Sequence, residues 1–345
     1  MRKIKVLIIA GILFFIGKLL VDAGTFKTIS NDSKGEVVEL YREAFGTEDL
    51  DIDYDSGILF VSSTNRWALR SNEQVEGAIY KLEIDSGQTL TPIPHTYSSE
   101  FNPHGISFLQ SDTSQFLFVV NHNSDGNFIE KFRYYNDTLY HEMSYQDEQM
   151  CCPNDVVAID QNSFYVTNDH SAMGKKWRFL EDYLRVPMSY VLYFDGAYFS
   201  KVIERVSYAN GINVSNDGTY LYLTATTSGK MYTYSIEEDG MLVLESTTKL
   251  KTGVDNIHVD PSGNIWIGAH PKLLDFVMHS SDPVRLSPSQ VLKLTPMDDF
   301  EYEIDQIYLN DGSEISGSSV ALPYNEEVFI GVVFENKLLR IKLNQ

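Results

Sequence analysis

The stretch Val254–His270, "VDNIHVDPSGNIWIGAH", decides the fold. It opens on a polar corner, Asp255 and Asn256. A short apolar run follows, then the turn "DPSG" (260–263), then a second run of β-branched and aromatic residues. Turn residues between two such runs read as a β-hairpin. The second strand of this unit recurs as "GILFVSST" (57–64), "QFLFVVNH" (115–122), "SFYVTNDH" (163–170), "TYLYLTATT" (219–227) and "EVFIGVVF" (327–334). Little of this mass reads as helix.

The corners set the period. They read "TEDLDID" from Thr47, "NPHGISF" from Asn102, "PNDVVAID" from Pro153, "ANGINVS" from Ala209, "VDNIHVD" from Val254 and "SGSSVAL" from Ser316. With Asp49, Gly105, Asp155, Gly211, Asn256 and Ser318 as marks, the steps are 56, 50, 56, 45 and 62 residues. Six units, each long enough for a four-stranded sheet, predict an all-β fold, a six-bladed β-propeller. A solenoid would need a more uniform period. The innermost strand of each blade would then run along a central channel, and the corners would ring one end of it. That ring collects Glu48, Asp49, His104, Asn154, Asp155, Asn210, Asp255 and Asn256. Mixed carboxylate and amide oxygens select calcium over zinc. Carboxylates massed in a closed tunnel repel one another unless a cation sits among them. Taken singly, each corner reads as a turn. Five acidic or amide-bearing corners in one register read as a calcium-binding tunnel.

The chain has 345 residues, enough to bury a sizeable core, and a formal net charge of −21 from 48 acidic and 27 basic residues. A field of that sign repels nucleic acid and anionic lipid, so no nucleic-acid partner is expected. The amino terminus differs. Arg2, Lys3 and Lys5 precede an apolar run from Val6 to Gly17, which Lys18 interrupts. A run of about 12 residues is short for a spanning helix and suits a signal peptide, with cleavage after Ala23. Residues 1–23 therefore read as a signal peptide or an uncleaved anchor, and residues 24–345 as the propeller domain. Either way the chain is expected to be secreted, or membrane-anchored and facing an extracytoplasmic compartment. The sequons at Asn31, Asn136 and Asn213 are glycosylation candidates consistent with export. The only two cysteines, Cys151 and Cys152, are adjacent and cannot make a disulfide framework. They could bridge only through a strained ring, or stay free.

The corner and strand motifs "TEDLDI", "FNPHGIS", "VVNH", "NDVVAI", "TNDH", "ANGINVSNDGTYLY", "VDNIHVDPSGNIWIG" and "HP" stand in this order from about Gly46 onward. In them the sequence resembles the serum paraoxonase and arylesterase family. The resemblance implies a six-bladed propeller with two Ca²⁺ ions in its tunnel. It implies that Glu48, Asn154, Asn210, Asp255 and Asn256 hold an upper, catalytic ion. Asp49, Asp155 and the backbone carbonyl of Ile106 would hold a lower, structural one. His104 and His122 match the family's catalytic dyad, although Glu48 could serve as the base instead. His170 and His270 resemble residues of the family's substrate pocket, and Tyr208 falls where the family has an aromatic wall. The sequence also departs from the family. The disulfide that joins the two ends of vertebrate members has no cysteines here. The cysteine of the family's "CHP" motif is Ala269. Ring closure is then expected from "NKLLRIKL" pairing near "GEVVELYR".

Within "GKKWRFLEDYLRVPMSYVLYF" (174–194), Trp177, Leu180, Tyr183 and Leu184 share one helical face, edged by Lys175, Lys176, Arg178 and Arg185. A helix over 175–186 would cover the tunnel, or touch a membrane or lipid particle together with the N-terminus. The chemistry expected is calcium-dependent hydrolysis of an ester or lactone, with phosphotriester cleavage as a side activity. No G-x-S-x-G serine motif is present. The alternatives are a non-catalytic calcium-stabilised propeller that binds lipid or protein, and a gluconolactonase-type sugar lactonase with a single metal. Separate Asp49 and Asp155 partners favour two ions over one.

Overall fold

The computed structural model describes residues 2–87, 89–111, 113–171 and 174–344, without the side chains of Arg2, Lys175 and Lys176. Six four-stranded antiparallel blades surround a central tunnel. The innermost strands are Thr47–Asp53, Pro103–Gln110, Pro153–Ala158, Ala209–Val214, Gly253–Val259 and Ser318–Tyr324, for blades one to six. Blade six is completed from the other end of the chain. Gly35–Tyr41 pairs antiparallel with Leu338–Leu343, in register from Gly35↔Leu343 to Tyr41↔Leu338. Closure by strand pairing is therefore as the sequence led us to expect. A short strand, Asp32–Ser33, also adds to the outer edge of blade five.

The core explains why the strands read as continuous apolar runs. Each blade is buried on both faces, so alternate side chains serve different neighbours. In the second strand of blade one, Leu59 and Val61 pack toward blade six against Leu322 and Phe329, while Phe60 packs toward blade two with Leu117 and Val119. Such a core sits between every pair of neighbouring blades. Each fully buried Leu, Val or Phe contributes roughly 1.5–3 kcal/mol. Outer strands face water, and Leu242–Lys249 is exposed at alternate positions through most of its length.

Many acids act locally in turns. Asp260 accepts from Ser262 N, Asn264 N and the Trp266 indole, all at 2.9 Å, and so fixes the "DPSG" turn. Asp160 and Asp217 do the same for their own turns. These are structural acids, distinct from those at the inner corners.

Among the described residues, four α-helices lie outside the blades: α1 (Arg2–Asp22), α2 (Arg66–Arg70), α3 (Lys175–Leu184) and α4 (Leu273–His279). Lys18 interrupts the apolar run but not the helix. Lys18 Nζ reaches Asp22 Oδ2, one turn on, at 2.5 Å, and α1 runs through. Residues Lys3–Asp22 are long and apolar enough to cross a membrane by length and composition. The end of α1 is pinned to the propeller by Arg185, which bonds Leu19 O and Asp22, and by Leu273 N donating to Ala23 O. In α3 the expected apolar face does not pack down. Trp177, Tyr183 and Leu184 are exposed, Leu180 is half-buried, and the side held by the propeller carries Glu181. Its carboxylate accepts from the amide and hydroxyl of Ser171. Lys175 and Lys176, expected on the rim of this face, have side chains outside the described residues.

Candidate active site

The site begins with a backbone irregularity repeated six times. The pairing of each inner strand with its neighbour shifts register at the corner: between Thr47 and Leu50, Pro103 and Ile106, Pro153 and Val156, Ala209 and Ile212, Val254 and Ile257, and Ser318 and Val320. An extra residue in one strand is a β-bulge, and it releases side chains from strict alternation. Glu48 and Asp49, Asn154 and Asp155, and Asp255 and Asn256 are the residues in the bulges. Two consecutive polar side chains per corner can thus serve the same tunnel. Glycines let the inner strands approach closely there. A Cβ on Gly105 would lie 2.5 Å from Asp155 Cα, and one on Gly211 would lie 2.6 Å from Asn256 Cα.

The upper residues are buried but under-bonded. Glu48, Asn154, Asn210, Asp255 and Asn256 are each at most 4% exposed. Four of their side-chain oxygens accept no hydrogen bond: Glu48 Oε2, which has only the Arg66 guanidinium at 3.8 Å, and Asn154 Oδ1, Asn210 Oδ1 and Asn256 Oδ1. A buried polar atom left unpaired costs about 1–3 kcal/mol. Four such oxygens around one tunnel are the pattern of a cation site. Two of the amide nitrogens are already committed as donors. Asn256 Nδ2 donates to Glu48 Oε1 at 2.9 Å and Asn210 Nδ2 to Thr226 Oγ1 at 2.9 Å. Among the described residues no group of three His, Cys, Asp or Glu could hold a metal, so amide oxygens are essential to the set. Asp255 is oriented by His270, whose Nε2 lies 2.7 Å from Asp255 Oδ2 and whose ring stacks on Phe276 at 3.7 Å. Burial opposes the charge of Glu48, but His104, Arg66 and Asn256 outweigh it and hold the carboxyl down to about 2.

The lower residues are bonded to backbone. Asp49 accepts from Leu50 N at 2.9 Å and from Ile106 N of the next blade at 2.7 Å. Asp155 accepts from Val156 N and from Ile212 N of the next blade, both at 2.8 Å. Burial pushes both carboxyls well above the usual range, and the charge of Asp155 pushes Asp49 further. A divalent cation held between them would relieve that repulsion.

His104 and His122 meet as the sequence led us to expect, with Nδ1 of His104 3.0 Å from Nε2 of His122. A third residue, Asn127, sets the direction of this contact. Its Nδ2 donates to the Cys151 carbonyl at 2.8 Å, so its Oδ1 accepts from His122 Nδ1 at 2.7 Å. His122 Nε2 must then accept, and His104 Nδ1 donates. His104 Nε2 is left facing Glu48 Oε1 at 3.5 Å. Burial, then repulsion from His104, lowers His122 to about 4, so it is neutral at working pH.

Above the corners lies a cavity of about 640 Å³. Glu48, His104, Asn154, Asn210 and Asp255 line its floor. Its walls come from the helices: Leu19 and Leu20 of α1, Tyr183 and Leu184 of α3, and Phe276 and Val277 of α4. His170, Tyr208 and His270 line it too. His170 is clasped by Asp169 at 2.7 Å and Asp182 at 2.8 Å. Burial works against its charge, but the two carboxylates raise it to about 10, so it is a fixed cation. Tyr208 meets it edge-on from a left-handed backbone, φ 64°. Sequence reasoning missed Asn127, Asp182 and Arg66. Arg66 stands at the N-terminus of α2, 3.8 Å from Glu48 Oε2, and also bonds the Gly46 carbonyl. Of the sequons, Asn31 and Asn136 are exposed, whereas the Asn213 amide nitrogen is bound to Ile257 O at 3.0 Å.

Several known proteins resemble this chain. The family model for arylesterase matches residues 46–341. Human serum paraoxonase/arylesterase 1 is 32% identical over 304 residues, 85% of each chain. Chicken serum paraoxonase/arylesterase 2 is 32% identical over 303 residues, again 85% of each. Among solved structures, a gluconolactonase from Xanthomonas campestris superposes with a TM-score of 0.56 at 11% identity, covering 92% of this chain and 99% of that one. Regucalcin, a calcium-binding protein from Agrobacterium tumefaciens, gives 0.54 at 12% identity, covering 90% and 95%. Those two share the propeller fold with it. The family match over residues 46–341, with relatives about one-third identical over most of the chain, puts the chain in the arylesterase family.

Proposed function

We propose that the tunnel head is the active centre of a calcium-dependent hydrolase of carboxylic esters and lactones. The observation that carries this reading is the set of four buried oxygens that accept no hydrogen bond beside the directed His104–His122 pair. Glu48, Asn154, Asn210, Asp255 and Asn256 would hold the catalytic ion. Asp49, Asp155 and the Ile106 carbonyl would hold a structural one. When bound there, calcium would supply Lewis-acid polarisation of the substrate carbonyl and charge balance for the oxyanion.

The chain's own residues handle the proton. His104 takes it from water at Nε2 while Nδ1–H stays bonded to His122. The imidazolium so formed faces the Glu48 carboxylate, which stabilises it. His104 then returns the proton to the departing alkoxide or phenoxide. His122 and Asn127 keep the donor direction fixed, and no serine nucleophile is required. The helical walls hold an apolar acyl or aryl group and exclude bulk water. The upper part of the molecule suits a lipid or membrane surface. Helix α1 is exposed along most of its length, and α3 presents Trp177, Phe179 and Tyr183 to solvent beside it. We read α1 as a signal or retained anchor that directs the chain to an extracytoplasmic compartment.

The test is hydrolysis of phenyl acetate and of a δ-lactone, with and without a calcium chelator. Activity should vanish with chelator and return with calcium. Asn154→Ala should abolish turnover of both substrates and leave the fold intact. Turnover unaffected by thorough chelation would overturn the reading.

A further inference from the structure

Cys151 and Cys152 take no part in this chemistry, yet they are wired to it. Both thiols are free, with their sulfurs 2.9 Å apart, in the loop that enters blade three. Cys151 is half-buried and Cys152 is buried. Arg178 Nη2 lies 2.8 Å from Cys152 Sγ, the Tyr190 hydroxyl lies 3.4 Å from Cys151 Sγ, and the Cys151 thiol donates to the His170 carbonyl at 3.2 Å. The hydrogen bond from Cys152, aided by Tyr190, lowers Cys151 to about 7 against the effect of burial.

The backbone between the two cysteines carries the link. The Cys151 carbonyl holds Asn127, Asn127 holds His122, and His122 holds His104. Adjacent Cα atoms in a trans peptide are about 3.8 Å apart. A relaxed disulfide spans roughly 4.4–6.8 Å between its Cα atoms. Bridging adjacent cysteines therefore twists the peptide that joins them, and the oxygen of that peptide is the Cys151 carbonyl.

We propose that Cys151 and Cys152 form a reversible redox modification site, closing to a vicinal disulfide that turns the Cys151 carbonyl away from Asn127 and loosens the His122–His104 pair. The oxidant class is a low-molecular-weight disulfide such as oxidised glutathione. The Cys151 thiolate attacks one of its sulfurs, and one glutathione thiolate leaves. The Cys152 thiol gives up its proton and attacks Cys151 Sγ of the mixed disulfide, expelling the second. The two cysteines lose two electrons and two protons, which end on two molecules of reduced glutathione. A strained ring is easily reduced, which makes the step reversible.

The loss of activity rests on the hydrolase reading, while ring formation does not. The full chain with calcium is therefore incubated with oxidised glutathione and read three ways: intact mass, phenyl acetate turnover, and the ¹⁵N shifts of His122. We expect a mass lower by two hydrogens with no retained glutathione. Turnover should fall by about tenfold, since a misaligned base forfeits part of its contribution, and a phosphine reductant should restore it. The His122 Nδ1 signal should lose the character of a fully protonated nitrogen. Cys152→Ala, which preserves the Cys151 carbonyl, should never lose the two hydrogens and should carry glutathione on Cys151. A stable glutathione adduct on the wild-type chain would refute the ring. A closed ring with unchanged turnover and unchanged His122 shifts would refute the link. An inactive reduced chain whose His122 shifts still respond to ring closure would count against the hydrolase reading alone.

Discussion

Asp155 offers a direct test of the lower site, provided its two roles are separated. Its carboxylate accepts from Val156 N and Ile212 N, so it ties blade three to blade four without any ion. Asp155→Ala leaves two buried N–H groups unpaired, at about 1–3 kcal/mol each, and so should destabilise the chain by about 2–6 kcal/mol whether calcium is present or not. Asp155→Asn is the sharper change. It keeps one acceptor and removes the charge that a cation needs. Calcium at a hundredfold excess over its Kd stabilises the native state by about 2.7 kcal/mol. The unfolding entropy of a chain of this length is about 0.7 kcal/mol per kelvin, so chelation should lower Tm by about 4 °C. Scanning calorimetry in calcium and in chelator measures that step. The wild-type chain and Asn154→Ala should both show it, and in Asp155→Asn it should shrink by the lower ion's share. An equal chelator step in Asp155→Asn and the wild type would show that Asp155 serves only as the backbone tie.

Other residues yield shorter tests. Asn127→Ala should lower kcat by about tenfold with little change in KM or Tm, because it releases the His122 tautomer and leaves the cavity wall alone. Asn127→Asp, which retains an acceptor, should recover part of the loss. Deletion of residues 2–22 removes Ile16, Leu19 and Leu20 from the cavity wall and should raise KM for apolar aryl esters by about tenfold, with kcat nearly unchanged. A raised KM for small polar lactones as well would point to collapse of the cavity. His170 has its pKa raised to about 10 in the folded chain, above its unfolded value. Its stabilising contribution is therefore complete below about pH 6.5 and is lost as pH rises toward 10. The decline in Tm over that window should be shallower in His170→Gln.

The corner residues were legible because their chemistry repeats. Oxygen-bearing side chains fall at one place in five of the six units, and hydrophobic runs buried on both faces mark the strands between them. The division between adjacent residues needed the bulges, which no composition reveals. His270 could have been paired with Asp255 by following the hairpin, since Gly253 lies opposite His270. The clasp on His170 could not, because Asp182 arrives on α3 from outside the blade. Arg66 was hidden for the same reason, standing at the start of α2 outside the strands of blade one. The α3 periodicity was read correctly as one face. Which side of the helix the propeller holds depends on Glu181 and its bonds to Ser171, a tertiary choice made against the hydrophobic pattern.

The tunnel is also the seam that joins the blades, and this accounts for a ring that closes without a disulfide. Asp49 and Asp155 each bond a backbone amide of the next inner strand. Thr224 Oγ1 donates to Asp255 O, Asn256 Nδ2 to Glu48 O, and Ser319 Oγ to Glu48 O. These contacts join blades one to two, three to four, four to five, five to one across the tunnel, and six to one. A family-type disulfide would add about 2–5 kcal/mol at the outer edge. Here the outer edge is held by the Gly35–Tyr41 pairing and the inner edge by this belt. The same carboxylates and amides therefore serve closure and, on our reading, ion binding. Their repulsion is the cost of placing both functions in one ring, and a bound cation offsets it. Removing the ion should thus loosen the blades as well as the chemistry, which is why the charge at Asp155, rather than its size, is the informative change.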